Sequence, residues 1–245
     1  MKDGYLKWQK SNHAILLGMS PTPNWAYIEK FWGYRSVEKT PGDLYKFASS
    51  RDFGIAVQGH SANKKVNYHF MFGNGSSTRS ETNKGKRIRL ALGYAVTSNF
   101  TVEAYGDWEE RPGNTNLYSA QGFAGYRTSN FRLGAQLMHQ TRKADSGDLQ
   151  LEVLSIIAAT KFSEQVWGFA RWDRAFDPLP EGPGLSYLPI DGTAKFNFVV
   201  FGIDYMPHSQ VHFMPNVEVV LYDETNGSNP NTDVMPRLTF YYVWK

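Results

Sequence analysis

Residues 86–97, KRIRLALGYAVT, decide the class of fold. Every second residue from Ile88 to Val96 is apolar, whereas the residues between them are small or polar and include Arg87 and Arg89. Side chains of a β-strand point alternately to its two faces. The stretch therefore predicts a strand with one apolar face and one polar face that carries arginines.

The same alternation recurs along the whole chain and predicts about thirteen strands joined by connections of two kinds. The short ones are rich in turn-forming residues and span 11–12, 61–64, 98–99, 128–130, 163–164 and 207–209. The long ones lie between them and span 20–50, 74–85, 109–115, 142–147, 175–193 and 223–232. Strict alternation of short and long connections is typical of an up-and-down barrel with short turns at one rim. We predict an all-β, transmembrane antiparallel barrel in which residues 1–245 form a single domain.

Composition agrees with a barrel in a membrane. Aromatic residues make up 15% of the chain, yet the mean hydropathy of −0.46 is that of a soluble protein. A barrel with lipid outside and water inside combines these properties, because half of each strand is polar. No stretch approaches the roughly 20 apolar residues of a spanning helix, which excludes a helical membrane protein.

The strand count predicts that sequence precedes residue 1. A bacterial barrel of this type has an even number of strands and both termini at the short-turn rim. Thirteen strands that end at this rim leave an odd number missing, and residues 1–8 lack the apolar core of an export signal. We therefore expect an export signal and an odd number of strands upstream, unless one of the thirteen predicted strands is not a strand.

Charged residues on the polar faces are candidates for lining a water-filled lumen. Alternation places there Asp52, Arg87, Arg89, Glu103, Asp107, Arg132, Glu152, Arg171, Asp173, Asp204, Glu218 and Arg237. Such residues would set the electric field that a permeating ion meets. Both signs occur, so the set leaves ion selectivity open, and for any single residue a solvated sheet face is the competing interpretation.

The connection 20–50 is too long and too aromatic to be a passive loop. Ile28, Phe31 and Trp32 have helical spacing, which favours a short helix packed inside the barrel. We predict that residues 20–50 fold inward and narrow the pore, with Arg35, Lys39, Lys46 and Arg51 at the constriction. A loop that lies outside as a lid or packs between subunits is the alternative.

Signals for other functions are weak. The six histidines lack metal-ligand spacing, and no catalytic constellation or phosphate-binding loop is evident. With a net charge of +3 and no basic run, nucleic acid is not an expected partner. We predict neither enzymatic activity nor a metal or other cofactor.

Several motifs make the chain resemble Gram-negative outer-membrane porins of the phosphate-selective porin O/P-like family. They are PTP at 21–23, IEKFWGYRSVEKTPGDL at 28–44, SSRDFG at 49–54, GNG at 73–75, RWD at 171–173, PN at 215–216 and LTFYYVW at 238–244. The resemblance implies a sixteen-stranded, usually trimeric barrel whose inward loop narrows a pore for small anions or other solutes. About three strands would then precede residue 1, in agreement with the odd number expected from the strand count.

These observations predict an outer-membrane porin for passive diffusion of small hydrophilic solutes or ions, anions among them. Its expected partners are membrane lipid, the solutes and two further copies of the chain. One alternative is a soluble or surface β-rich module that binds carbohydrate on Trp25, Trp32 and Trp172. A second is a barrel that the long loop plugs and that never conducts.

Overall fold

The computed structural model describes residues 3–23, 26–185, 187–188 and 190–244. Its strands are β1 (Gly4–Lys10), β2 (His13–Pro21), β3 (Arg51–His60), β4 (Val66–Gly73), β5 (Arg87–Ala95), β6 (Phe100–Glu109), β7 (Leu117–Arg127), β8 (Phe131–Arg142), β9 (Leu149–Ser163), β10 (Val166–Ala175), β11 (Phe196–His208), β12 (Val211–Tyr222) and β13 (Asp233–Tyr242). Two helices, α1 (Ala26–Trp32) and α2 (Pro41–Leu44), lie between β2 and β3. The prediction of an all-β fold is confirmed.

The strands form one antiparallel sheet in which each strand pairs with its neighbours in sequence. The register sets Ala91 of β5 opposite His69 of β4 and Tyr105 of β6. In the described part of the chain β1 pairs with β2 alone and β13 with β12 alone. This order is that of an up-and-down barrel.

The two faces of the sheet are chemically opposite, as the alternation predicts. Apolar side chains such as Phe53, Leu92 (47% exposed) and Leu133 cover the outer face. The inner face holds buried charged groups, among them Arg89 and Asp173. A soluble sandwich would bury its apolar faces against each other, and here they are exposed.

The sheet curves around the chain between β2 and β3. We call residues 26–50 the inner segment; its side chains and carbonyl groups contact the inward face of β5, β8, β10 and β11. One short segment can reach strands this far apart in the order only if the sheet wraps around it. The predicted helix at Ile28, Phe31 and Trp32 is confirmed as α1.

The core lies between the inner segment and the inward faces of β7–β12. Ile28, Phe31 and Trp32 of the segment pack there with strand residues such as Phe123 and Phe198. The connection between β10 and β11 adds Leu179, Leu185, Leu188 and Ile190. In the described part of the chain, neither α-helix has the length and hydropathy needed to cross a bilayer.

Candidate pore and inner segment

Aromatic side chains fasten the inner segment to one half of the barrel wall. The ring of Phe31 meets Phe123 of β7 edge to face, with 5.0 Å between centroids. Tyr34 stacks on Phe169 of β10 at 4.2 Å. Offset and edge-to-face pairs of this kind are favourable beyond the apolar area that they bury.

Charged side chains of the same half bind backbone carbonyls of the segment. Arg127 and Arg132 both donate to the Phe31 carbonyl oxygen, at 3.0 and 3.1 Å. Arg171 donates to the carbonyl oxygen of Lys39 at 2.5 Å. The Phe31 carbonyl lies in the last turn of α1 and the Lys39 carbonyl lies outside helix and strand, so the guanidinium donors satisfy acceptors that have no secondary-structure partner.

Asp173 of β10 is the centre of a buried polar cluster. It accepts hydrogen bonds from the Tyr45 hydroxyl at 2.7 Å and from the Ser155 hydroxyl at 2.6 Å. Arg171 lies 3.0 Å away as its ion-pair partner and stacks over the Trp32 ring. The cluster joins α2 and its C-terminal flank to β9 and β10.

Ion pairs line the opposite half of the wall, on β3, β5 and β6. Asp52 accepts from Arg89 at 2.8 Å and from the backbone N–H of Gly75 at 2.7 Å. Arg87 pairs with Asp107 at 2.6 Å and with Glu109 at 3.0 Å. It also donates to the Phe47 carbonyl oxygen, which places this network beneath the inner segment.

Most of the predicted pore-lining residues are therefore already engaged. Arg87, Arg89, Arg171, Asp52 and Asp173 are buried, and Arg89 is 0% exposed. Arg87, Arg171 and Asp173 contact the segment directly, whereas Arg89 and Asp52 pair with each other. None of these charges faces open space. The alternation correctly placed them on the inward face.

The other predicted constriction residues lie in different surroundings. Arg35 pairs with Glu29 and Asp43 inside the segment. Lys39 lies over the Tyr187 ring, and Lys46 is exposed with a left-handed backbone. Arg132 stacks over the Tyr34 ring as well as binding Phe31, and Arg237 pairs with Glu218 at 3.1 Å.

Two predicted inward positions are wrong. Arg51 shares the outward face of Phe53 and pairs with Asp3 at the rim. Glu152 lies on the outer face of β9, 3.6 Å from His139. Both faces of β9 are apolar, so alternation along that strand does not distinguish its inner from its outer side.

Two hollows lie at different levels of the barrel. The long-loop hollow, of about 740 Å³, is lined by basic side chains that include Lys46, Arg79, Arg111 and Arg142. The short-turn hollow, of about 390 Å³, is lined by Gln58, His69, Glu103 and others near the short turns. Between the two hollows lie Ala56, Met71 and Arg89, inward residues of the wall that are fully buried.

Burial shifts the pKa values of three ionisable groups of the segment, Glu38, Tyr34 and Tyr45. Burial raises the pKa of Glu38, and nearby Arg171 opposes the shift. Glu38 accepts hydrogen bonds from the Lys39 N–H at 2.6 Å and from the Tyr187 hydroxyl at 3.2 Å. Burial also raises the pKa of Tyr34 to about 12, against the effect of Arg132.

Sequence reasoning missed Glu38, Tyr45 and Phe47 as anchors of the segment. Tyr45 and Phe47 follow α2, and their aromatic character in a polar connection was an available signal. Glu38 carried no such signal, since an isolated acidic residue in a loop usually faces solvent.

The aromatic platform of a carbohydrate-binding module is not assembled. Trp32 is fully buried under Arg171, whereas Trp172 lies on the outer face and donates to Asn197. Trp25 lies outside the described residues. Among the described residues, no cluster of His, Cys, Asp and Glu could hold a metal ion.

Comparisons with known proteins identify the architecture. No family model and no curated protein matches the chain. Among solved structures, OmpT of Vibrio cholerae, described as outer-membrane expressed, is similar with a TM-score of 0.66 at 10% identity, over 99% of this chain and 81% of that one. An anion-selective porin from Comamonas acidovorans gives 0.70 at 10% identity, over 97% of this chain and 76% of that one. Salmonella typhi OmpF, in complex with daunomycin, is similar with a TM-score of 0.64 at 13% identity, over 94% of this chain and 74% of that one. At such identities the likeness establishes the fold alone, and that fold is the outer-membrane β-barrel.

Proposed function

We propose that the chain is a porin of the bacterial outer membrane through which small hydrophilic solutes diffuse passively. One observation carries the proposal: the polarity of the barrel is the reverse of a soluble protein's, with apolar side chains exposed on the outside and charged ones on the inside. Such a surface is suited to acyl chains and leaves a polar interior. The exposed apolar faces also disfavour a soluble carbohydrate-binding module.

The charges of the long-loop hollow favour anions among the solutes. Lys46 and Arg79 line it, are exposed, and form no ion pair with any described residue. Unpaired cations at a pore mouth raise the local concentration of anions. The resemblance to phosphate-selective porins agrees with this preference, and we include in the proposal a homotrimer and the absence of catalysis.

We place the passage along the side of the inner segment that faces β1 and β13. Inward side chains of these two strands, such as Lys7 and Tyr241, are exposed, in contrast with the buried wall at Arg89. Solutes would therefore pass beside the segment, next to the free edges of the sheet. Any strands upstream of residue 1 would complete the wall there.

Conductance in a planar bilayer tests the proposal. We expect discrete channels and, in a salt gradient, a reversal potential on the anion-selective side. The Lys46→Gln/Arg79→Gln variant should shift that potential toward cations, whereas Lys161→Gln, at a short turn, should not. If the wild-type channel is cation-selective, the proposed anion preference is wrong and the proposed porin function still stands.

A barrel plugged by its inner segment is the second candidate. The complete burial of Trp32, Arg89 and Asp52 favours it, because no water reaches these residues. The same bilayer measurement distinguishes the two functions. A protein that inserts, shows the gel mobility shift of a folded barrel and carries no current would be the plugged form.

A further inference from the structure

The short-turn hollow contains a buried carboxylate that has no partner. Glu103, on the inward face of β6, is 7% exposed. Its Oε1 atom accepts no hydrogen bond, and no ion pair joins Glu103 to a described residue. Burying an ionised carboxylate without compensation is costly.

The other buried carboxylates on the inward faces of the described strands differ from Glu103 in this respect. Each has an arginine or histidine within ion-pair distance: Asp52 has Arg89, Asp107 and Glu109 have Arg87, Asp173 has Arg171, Asp204 has His212, and Glu218 has Arg237. Among the buried inward carboxylates that the structure describes, Glu103 is therefore the exception. Because Glu103 lies in a hollow, its unpaired carboxylate indicates a binding site for a cationic group of a ligand.

Asn67 of β4 and Ala91 of β5 border the hollow beside Glu103. Gly93 is opposite Glu103 on one side and Asn67 on the other, and a side chain on Gly93 would collide with Asn67. The next inward residue, Ala91, is opposite His69, whose Nε2 atom is also buried without a partner. The volume of about 390 Å³ is within the usual range of small-molecule sites.

Two lysines line the same hollow from other elements. Lys7 of β1 and Lys30 of α1 are exposed and form no ion pair with described residues. A ligand with only an ammonium group would be repelled by the lysines, and one with only a carboxylate would be repelled by Glu103. A ligand that carries both an ammonium group and a carboxylate can pair with Glu103 and with the lysines at the same time.

We propose that the short-turn hollow binds small zwitterionic solutes, of which an amino acid is the simplest, with the ammonium group on Glu103 and the carboxylate toward Lys7 and Lys30. The inference rests on the proposed channel only in that solutes reach the hollow through the lumen. The inference names zwitterions as one class of solute for the channel and the hollow as the site where they bind on their way through.

Three matched probes test the charge pattern on the full chain in detergent micelles. The probes are γ-aminobutyrate, butylamine and butyrate, which share a carbon chain and differ in their charged groups. Titration calorimetry should show the zwitterion binding at least roughly tenfold more tightly than either single-charge probe, since each lost charged hydrogen bond weakens binding by that order. Equal binding of all three, tighter binding of butyrate, or no binding at millimolar concentration would overturn the proposal.

Substitutions then locate the binding. Glu103→Gln keeps the size of the side chain and removes the charge, and should weaken γ-aminobutyrate binding roughly tenfold or more. Asp145→Asn removes an equal charge from an exposed loop and should leave binding unchanged. If Glu103→Gln does not fold, Ala91→Leu, which fills the hollow, should abolish binding; retention of binding in the folded variant refutes the site.

Conductance separates this inference from the proposed function. Channels measured in salt alone, without the zwitterion, report on the porin and not on the hollow. Conducting channels without γ-aminobutyrate binding refute only the hollow. Binding in micelles by a protein that carries no current supports the hollow and refutes the channel.

Discussion

The inner segment is attached to its two walls by different interactions. On the β7–β11 side aromatic pairs, such as Phe31 on Phe123 and Tyr34 on Phe169, add to the polar contacts of the arginines and Asp173. On the β3–β6 side the wall beneath the segment is a network of buried ion pairs around Arg87 and Arg89. Apolar packing stabilises a contact directly, whereas buried ion pairs offset desolvation and chiefly fix geometry. The first wall therefore holds the segment, and the second sets its position.

Breaking the charged wall should have the largest effect. Asp52→Ala leaves Arg89 fully buried without its carboxylate, and we expect a loss of about 3–5 kcal/mol in the free energy of unfolding. Urea titration of the folded barrel in micelles measures it. The double variant Asp52→Leu/Arg89→Met should recover most of this loss, because an apolar pair needs no charge compensation. A double variant as unstable as the single one would show that the pair itself stabilises the wall.

Removing one polar anchor from the aromatic side should cost less. Tyr45→Phe keeps the ring against Phe196 and removes only the hydroxyl that donates to Asp173. We expect a loss of about 1.5–3 kcal/mol, the range for a hydrogen bond to a charged group. Limited proteolysis should also cut the inner segment faster. Tyr118→Phe, on the outer face, is the control, and an equal effect there would contradict the role of Asp173.

Trimming an aromatic contact should have a smaller effect. Phe31→Leu retains an apolar side chain in α1 but loses the ring pair with Phe123, for a cost of about 1–2 kcal/mol. Phe53→Leu, on the exposed outer face, should change the free energy of unfolding by less than about 0.5 kcal/mol in micelles. If Phe31→Leu and Phe53→Leu change the free energy of unfolding equally, the aromatic contacts do not hold the segment as described.

The outer face of the barrel could be predicted from the sequence, and the inner face only in part. Ile88 and Leu92 alternate with Arg87 and Arg89, so the orientation of β5 follows from the pattern alone. On β9 the inner face is also apolar, because the inner segment covers it, and Glu152 was therefore assigned to the wrong side. Alternation reports the polarity of two faces and contains no information about what packs on them.

The candidate site shows the same limit. The inward arginines Arg89 and Arg171 could be found from the sequence, since each lies at an inward position of its strand. Their burial depends on contacts with Asp52 and Lys39, which are far from them in the chain, and no local pattern encodes such pairings. The hollow at Glu103 depends likewise on the register of β4, β5 and β6.

The smallest expected effect is a pH dependence at Glu38. Burial raises its pKa above the ordinary 4.5, so its contribution to stability is full below that value and is lost as pH rises through the raised pKa. The ionisable groups that interact with it are Arg171, Tyr187, Arg237, Glu218 and Tyr45. We expect the inner segment to become more protease-sensitive over this rise in pH. Glu38→Gln should flatten the profile, and an unchanged profile would assign the dependence to another group.

The central claim is that the apolar face of every strand meets lipid and the polar face encloses the interior. The chain has no cysteine, so single spin labels at Leu90 and Ala91, neighbours on opposite faces of β5, can be introduced without other changes. In reconstituted bilayers, electron paramagnetic resonance should show the label at 90 accessible to oxygen from the lipid and the label at 91 shielded from it. Equal oxygen accessibility at both positions, or the reverse order, would contradict the account.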